Sequence, residues 1–456
     1  MTPTRIVILA AGQGKRMQSS IPKVLHTIGG KPLLLHVVET AIAISDMPPI
    51  VIYGHEGHQV RAALSHLNIQ WVEQSQAHGT GHAVMQALPY LQDNERVLIL
   101  YGDVPLISVE TLKKFIEKTP PSALGLMTAI FNDPTGYGRI VKDAQGQVTK
   151  IIEEKDADEK IKLITEINTG IYCVEAPQLK KWLPLLSAHN AQGEYYLTDI
   201  ITLAEAIHTE QPKAIEEVLG VNDRVQLNRL ERFYQYEMAK KLMQQGVTLY
   251  DPHRFDVRGE LIVGKDVVID INAVFEGRVV IGDGCKVGPQ VTIRDSQISD
   301  RVEIRANSVI DGASIAADCI IGPFARLRPG TILSAKAHIG NFVEIKNSVI
   351  DEGSKINHLS YIGDTLMGKG VNIGAGTITC NYDGMYKHQT CIEDHVSIGS
   401  GTQLIAPITI GKGATIGAGS TIRKNAPSDQ LTLSVSEQKS IKGWQPRAKK
   451  PIQEKQ

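Results

Sequence analysis

The sequence predicts an α/β protein: a doubly wound, Rossmann-like N-terminal domain, a long linker helix and a C-terminal parallel β-helix of hexapeptide repeats. Three observations carry this. Short apolar runs alternate with helical stretches through the first half, one long helical segment follows residue 222, and apolar residues recur every six positions from residue 263. At 456 residues the chain also exceeds one ordinary core. The domains expected are 1–224, a linker helix over 225–246, and 247–456.

The runs Ile6–Ala10, Ile50–Tyr53 and Val97–Tyr101 are short and almost continuously apolar, as in parallel strands covered on both faces. Helical stretches, Lys31–Ile44 and Thr80–Leu91, lie between them. This βαβ order places ligands beyond the carboxyl ends of the strands. The linker has helical spacing of Val225, Leu227, Leu230, Phe233 and Met238 and ends at Gly246. Beyond it Val263, Ile269, Phe275, Ile281, Val287 and Ile293 begin a six-residue series, with small or apolar residues four positions after many of them. A coil is three such hexads, and a shortened step, as from Ile293 to Ile298, makes some coils one position shorter. Neither an amphipathic helix nor a two-period strand produces this spacing, whereas a three-faced β-helix does. Residues 379–391, "TCNYDGMYKHQTC", break the series and predict an extruded loop, either a tolerated insertion or a binding arm.

Composition narrows the function classes. With 42% hydrophobic and 21% charged residues the chain reads as globular, and a net charge of −1 argues against a nucleic-acid or membrane-surface binder. Lys439, Lys442, Arg447, Lys449, Lys450 and Lys455 crowd the C-terminus, as a solvated tail or one that reaches an anionic ligand. Five cysteines (173, 285, 319, 380 and 391) form no C-x-x-C pair or zinc spacing. Reduced thiols in a cytoplasmic protein are expected. No apolar run approaches the ~18 residues of a membrane span.

The stretch "IVILAAGQGKRMQSSIPK" is a strand running into a glycine turn and then basic residues. Closely spaced glycines let backbone N–H groups approach a phosphate. Met17 stands where both the dinucleotide fingerprint and the G-x-x-x-x-G-K-[ST] loop require glycine, so neither applies. Asp103 in "YGDVPL" also follows a strand, which places it in the same crevice. In the second half, Arg328 and Lys346 each follow an inward position and lie one full coil apart. Adjacent coils would stack them about 4.8 Å apart. Stacked like charges repel unless an anion lies between them, or unless both splay into solvent.

"LAAGQGKRM…PK" together with "YGDVPL" resembles the sugar-nucleotide pyrophosphorylases. With the hexapeptide half the chain resembles, over nearly its whole length, the bacterial bifunctional N-acetylglucosamine-1-phosphate uridylyltransferase/glucosamine-1-phosphate acetyltransferases. The resemblance implies a nucleotidyltransferase domain and a left-handed β-helix that usually assembles as a homotrimer. The substrates implied are acetyl-CoA, glucosamine-1-phosphate, UTP and N-acetylglucosamine-1-phosphate, with the product destined for cell-envelope synthesis. It implies that the Gly12–Gly14 turn, Arg16 and Lys23 grip the triphosphate and that Asp103 and Asn222 hold Mg²⁺. Leu9, Ala10, Ala11, Gly12, Gln74, Gly79 and Thr80 would surround uracil and ribose, with Tyr101 and Gly102 lining the same site. Gly138, Glu153 and Asn168 would hold the acetylated sugar.

In the β-helix it implies that His358 is the base taking a proton from the attacking ammonium, a task an uncharged imidazole suits near neutral pH. Glu344 is expected to orient it. Arg328, Lys346, Tyr361 and Asn372 would meet glucosamine-1-phosphate, and Ala375, Asn381, Tyr382, Ser400 and Ala418 acetyl-CoA. The family carries an arginine where this chain has Val435, leaving Lys439 or Lys442 to substitute. Two alternatives stand beside this reading: a nucleotidyltransferase whose β-helix only trimerises, and a non-catalytic assembly protein built from the same modules, like the translation-initiation exchange-factor subunits. The latter predicts eroded catalytic positions, yet Arg16, Lys23, Asp103 and His358 are all present.

Overall fold

A computed structural model describes residues 2–12, 14–54, 57–435 and 437–445. Arg447, Lys449, Lys450 and Lys455 of the basic tail lie outside the described residues. The chain forms two units. One comprises residues up to Gln245 with Asp251–Glu260 and Val274–Gly277; the other comprises Gly246–Tyr250, Leu261–Ala273 and the chain from Arg278.

The first unit is a nine-stranded sheet. Its strands are β1 (Thr4–Ala10), β2 (Ile50–Gly54), β3 (Gln70–Gln74), β4 (Arg96–Tyr101), β5 (Leu124–Ile130), β6 (Arg139–Lys142), β7 (Val148–Ile152), β8 (Glu166–Glu175) and β9 (Ile207–Glu210). The main order is β9-β5-β8-β4-β1-β2-β3, with β6 and β7 as a side hairpin against β8. Strands β1, β2 and β4 are parallel, as their continuous apolar runs predict, and β3, which carries no such run, joins parallel to β2. Strand β8 runs antiparallel to β4 and β5, so the sheet is mixed. Val7, Ile8, Ile50, Ile52, Val97 and Ile99 have no exposed surface, because both faces of the sheet are covered.

Helix α1 (Leu33–Ile44) starts two residues later than the pattern predicts, since Lys31 and Pro32 pair in a short ladder. Helix α2 (Thr80–Met85) is shorter than its stretch, and Pro89 falls in a separate 3-10 turn over Leu88–Tyr90. Helix α3 spans Val109–Lys118. The linker becomes α4 (Arg224–Gln244), whose N-cap Asp223 accepts from the Gln226 N–H at 2.8 Å. Gln235 on α4 is buried and exchanges two hydrogen bonds with the Val257 backbone, at 2.7 and 2.8 Å. The segment after the helix therefore packs back onto the first unit.

The second unit is the β-helix: short parallel strands stacked in sheets of 11 and 17 strands. Ile269, Phe275, Ile281, Val287 and Ile293 are buried, as are Ile398, Leu404, Ile410, Ile416 and Ile422 at the far end of the series. Val263, at the open end, is half-buried. Leu327 pairs with Ile345, three full hexads on, whereas Ile345 pairs with Ile362, one position short of that. Both coil lengths expected from the steps occur. The exception is Ile373, whose partner is Ile398 because the loop is extruded between them.

Candidate active sites

The first site lies at the carboxyl ends of β1, β3 and β4. A cavity of about 360 Å³ is lined by Leu9, Ala10, Ala11, Gly12, Lys23, Gln74, Gly79, Thr80, Tyr101, Asp103 and Asn222. The Lys23 ammonium donates to Asp103 Oδ2 and, at 3.2 Å, to Asn222 Oδ1. Asp103 is brought there by the turn after β4; the Val221 N–H donates to the Asp103 carbonyl at 2.9 Å and so fixes Asn222 alongside. Two hard oxygens thus converge on one cation. That donor set fits Mg²⁺, which takes few protein ligands and keeps waters. Among the described residues no group of three or more His, Cys, Asp or Glu competes for a metal.

Gly102 packs between Leu34 and Ala10, where a Cβ would come within 3.0 Å of the leucine. Gly138, Glu153 and Asn168 meet one another. The Asn168 N–H donates to the Gly138 carbonyl at 2.8 Å, and a Cβ on Gly138 would stand 3.4 Å from the Glu153 carboxylate. Burial raises the pKa of Glu153, whose Oε1 accepts only a Thr198 hydroxyl at 3.2 Å among the described residues. Tyr101 links this group to Asp103: burial first, then the charges of Glu153 and Asp103, push its hydroxyl well above the usual range. Arg16 is exposed on the 3-10 turn Lys15–Met17, whose Met17 is buried. Sequence reasoning passed over Lys15, which lines a neighbouring cavity of about 400 Å³ with Gly12 and Gln74. Its signal was present, a cation one residue past the glycine turn.

The second site lies on the β-helix. Ile339, Ile356, Ile373, Ile398 and Ile416 pair in register, so Asn341, His358, Ala375, Ser400 and Ala418, each two residues further on, form one column at a corner of five successive coils. Gly374 and Gly399 keep the column close: a Cβ on either would fall within 2.5 Å of the next coil's backbone nitrogen. Among the described residues the Ala375, Ser400 and Ala418 N–H groups have no protein acceptor, while the Ala375 carbonyl accepts from Gly401 and that of Ser400 from Gly419. Asn372 is exposed on a strand between those of Lys355 and Ser397, three residues before Ala375 of the column.

Arg328, Lys346, Tyr361 and Asn381 gather on the other sheet. A Cβ on Gly363 would lie 2.4 Å from the Tyr361 hydroxyl and 2.9 Å from Asn381 Nδ2, which itself donates to Asp364.

Two expectations need correction. Glu344 pairs with Arg328 at 2.8 Å, and the partner of His358 Nδ1 is Asn341 Oδ1 at 3.0 Å. The ladder sets Asn341 directly beside His358, whereas Glu344 belongs to a different sheet. Second, the stacked cations are already partnered, Arg328 by Glu344 and Lys346 by Asp364 at 3.5 Å, so their repulsion alone does not demand an anion. Lys387, on the extruded loop, stands against Lys346, and that contact lowers its pKa.

The loop folds on itself. Asp383 accepts from the Met385 and Tyr386 N–H groups, His388 Nε2 lies 2.6 Å from its carboxylate, and Tyr382 stays exposed. Val435, Lys439 and Lys442 are exposed.

An α/β domain whose glycine turn faces the paired oxygens of Asp103 and Asn222, followed by a hexapeptide β-helix, has the build of a nucleotidyltransferase joined to an acyltransferase. Residues 6–159 match the MobA-like NTP transferase domain, 257–341 the GMPPB C-terminal domain and 392–424 the bacterial transferase hexapeptide repeats. The chain is 54% identical to the bifunctional protein GlmU of Methylococcus capsulatus, over 96% of each chain. It is 56% identical to that of Legionella pneumophila strain Lens, over 98% of this chain and 99% of the other. With that of Marinobacter nauticus it shares 53% identity, over 98% and 99%. The chain belongs to the bifunctional GlmU family, and it is a bifunctional transferase with a uridylyltransferase half and an acetyltransferase half.

Proposed function

We propose that the chain makes UDP-N-acetylglucosamine in two steps, acetylating glucosamine-1-phosphate on the β-helix and then coupling the product to UTP in the α/β unit. The observation that carries the second step is the convergence of Lys23, Asp103 and Asn222 at the mouth of the glycine-turn cavity. Lys23 and Arg16 hold the triphosphate, Gln74, Gly79 and Thr80 the nucleoside, and Gly138, Glu153 and Asn168 the sugar. Asp103 and Asn222 hold Mg²⁺, which when bound neutralises charge on the reacting phosphates. The protein's own share is positioning and electrostatics.

On the β-helix, His358 removes the proton of the glucosamine ammonium, with Asn341 fixing its ring. Arg328, Lys346 and Lys387 take the sugar phosphate, Tyr361 and Asn372 the sugar. The unpaired N–H groups of the column, with Asn381 and Tyr382, receive acetyl-CoA. The working form is a cytoplasmic homotrimer, a reading that the hexapeptide β-helix supports.

The test is a pair of assays on the purified chain. CoA should be released from acetyl-CoA only when glucosamine-1-phosphate is present. Pyrophosphate should form from UTP and N-acetylglucosamine-1-phosphate, and EDTA should abolish it. Pyrophosphate without CoA release would leave a uridylyltransferase with a structural β-helix.

A further inference from the structure

The "AHGTGHA" segment holds a residue that none of the roles above uses. His82 stands on α2, half-buried beneath the nucleoside side of the cavity. We propose that His82 is a positioning residue that fixes the orientation of the Gln74 amide and thereby makes the site select uracil over cytosine; this rests on the reading that Gln74 meets the base.

Gln74 ends β3, is buried, and lines the cavity. One end of its amide lies 3.1 Å from the Gly79 carbonyl oxygen. A carbonyl can only accept, so that end is the NH₂ group. The same nitrogen lies 3.1 Å from His82 Nδ1, which must therefore be the accepting nitrogen of an uncharged ring carrying its proton on Nε2. Both N–H groups of Gln74 are thus spent inside the protein, and Oε1 is the atom left for a ligand. Among the described residues nothing donates to it.

Uracil offers an N–H at position 3, and cytosine a lone pair at the same place. An outward carbonyl oxygen accepts from the first and repels the second. The reversed amide would favour cytosine, and it would turn Oε1 against the Gly79 carbonyl.

The frame around the amide is rigid. Gly79 has φ +100°, a Cβ there would sit 2.6 Å from the Tyr195 carbonyl, and its own carbonyl also accepts the Ala83 N–H at 3.1 Å. The His82 ring is held edge-on by His78, with centroids 5.2 Å apart, and faces Tyr195 at 6.4 Å. Burial, and next the neighbouring His78, lower the pKa of His82 and keep the ring in its accepting form. Gln86, half-buried, has its amide nitrogen 3.2 Å from Nε2 and 3.1 Å from the His82 carbonyl, and it gives up the carbonyl contact to turn its oxygen to the Nε2 proton.

The experiment measures kcat/KM of the full chain with UTP and with CTP, at saturating N-acetylglucosamine-1-phosphate and Mg²⁺. Four forms are compared with the parent: His82→Leu, His82→Asn, Gln74→Ala and the double variant His82→Leu/Gln74→Ala. In His82→Leu the UTP-to-CTP ratio should fall about tenfold, one hydrogen bond's worth or about 1.4 kcal/mol. His82→Asn should restore it, because Asn Oδ1 stands where Nδ1 does and accepts likewise. The double variant should lose no more discrimination than Gln74→Ala alone. Acetyltransferase activity of His82→Leu should match the parent, showing a folded chain. If His82→Leu lowers both nucleotides equally, or leaves the ratio intact while Gln74→Ala collapses it, His82 does not position the amide. If Gln74→Ala itself leaves the ratio intact, Gln74 does not read the base, and the underlying reading fails with the proposal.

Discussion

At the scale of single residues, Glu153 carries a charge that its surroundings disfavour. Burial raises its folded-state pKa above the unfolded value, and Asp156 and Asp199 add to the shift. The folded state then binds the proton more tightly than the unfolded one, so stability falls as pH rises from the ordinary carboxyl range through the raised value. Below that range both states are protonated and the penalty vanishes. Glu153→Gln should therefore raise Tm at neutral pH, and its Tm should converge with the parent's on acidification. Its kcat/KM for N-acetylglucosamine-1-phosphate should meanwhile drop about tenfold or more, through loss of a charged acceptor. Thermal melts across pH and steady-state kinetics check both. In the sequence Glu153 is one of two adjacent glutamates, and nothing there separates it from Glu154, which the fold pairs with the buried Arg139. The same limit hid the exchange of partners between Glu344 and Asn341. Which carboxylate meets which cation depends on the sheet each residue joins, and the hexad alone does not show that.

At the scale of elements, the six-residue period was fully legible because inward positions must be apolar on every coil. The mixed sheet was less so: the stretch 171–174 of β8 is as continuously apolar as the parallel strands, and such a run says nothing of direction. The break at residues 379–391 was legible as an interruption, and the register explains it. The coil from Ile373 to Ile398 is longer than the one from Ile398 to Ile416 by the length of segment 382–388, and that excess lies outside the ladder. Deleting residues 382–388 would restore a coil of three plain hexads. The β-helix should keep its stability, with Tm within a few degrees of the parent, since loops extruded from a scaffold cost little to remove. Acetyltransferase activity should collapse through the loss of Tyr382 and Lys387, with pyrophosphate formation unchanged.

At the scale of the whole molecule, the first unit does not end with its long helix. Gln235 is bonded twice to Val257, Arg232 pairs with Asp256 at 2.7 Å, and Phe255 packs against Phe275 with ring centroids 5.8 Å apart. A chain ending at residue 245 should consequently melt several degrees below one ending at residue 277. The shorter form loses the two Gln235 bonds and their apolar cover, about 1–3 kcal/mol. Equal melting temperatures would contradict that grouping. The composition shift near residue 222 marked the helix well, but it could not show that strand residues beyond it return to the first unit.

The central claim, two independent transferase sites on one chain, is tested most directly by measuring both activities in His358→Ala and in Asp103→Asn. His358→Ala should lower acetyl transfer by about 10²–10⁴-fold, the usual contribution of a general base, and leave uridylyl transfer within about twofold of the parent. Asp103→Asn should do the reverse. Acetylation near the parent level in His358→Ala, or an equal loss of both activities in either variant, would contradict the account.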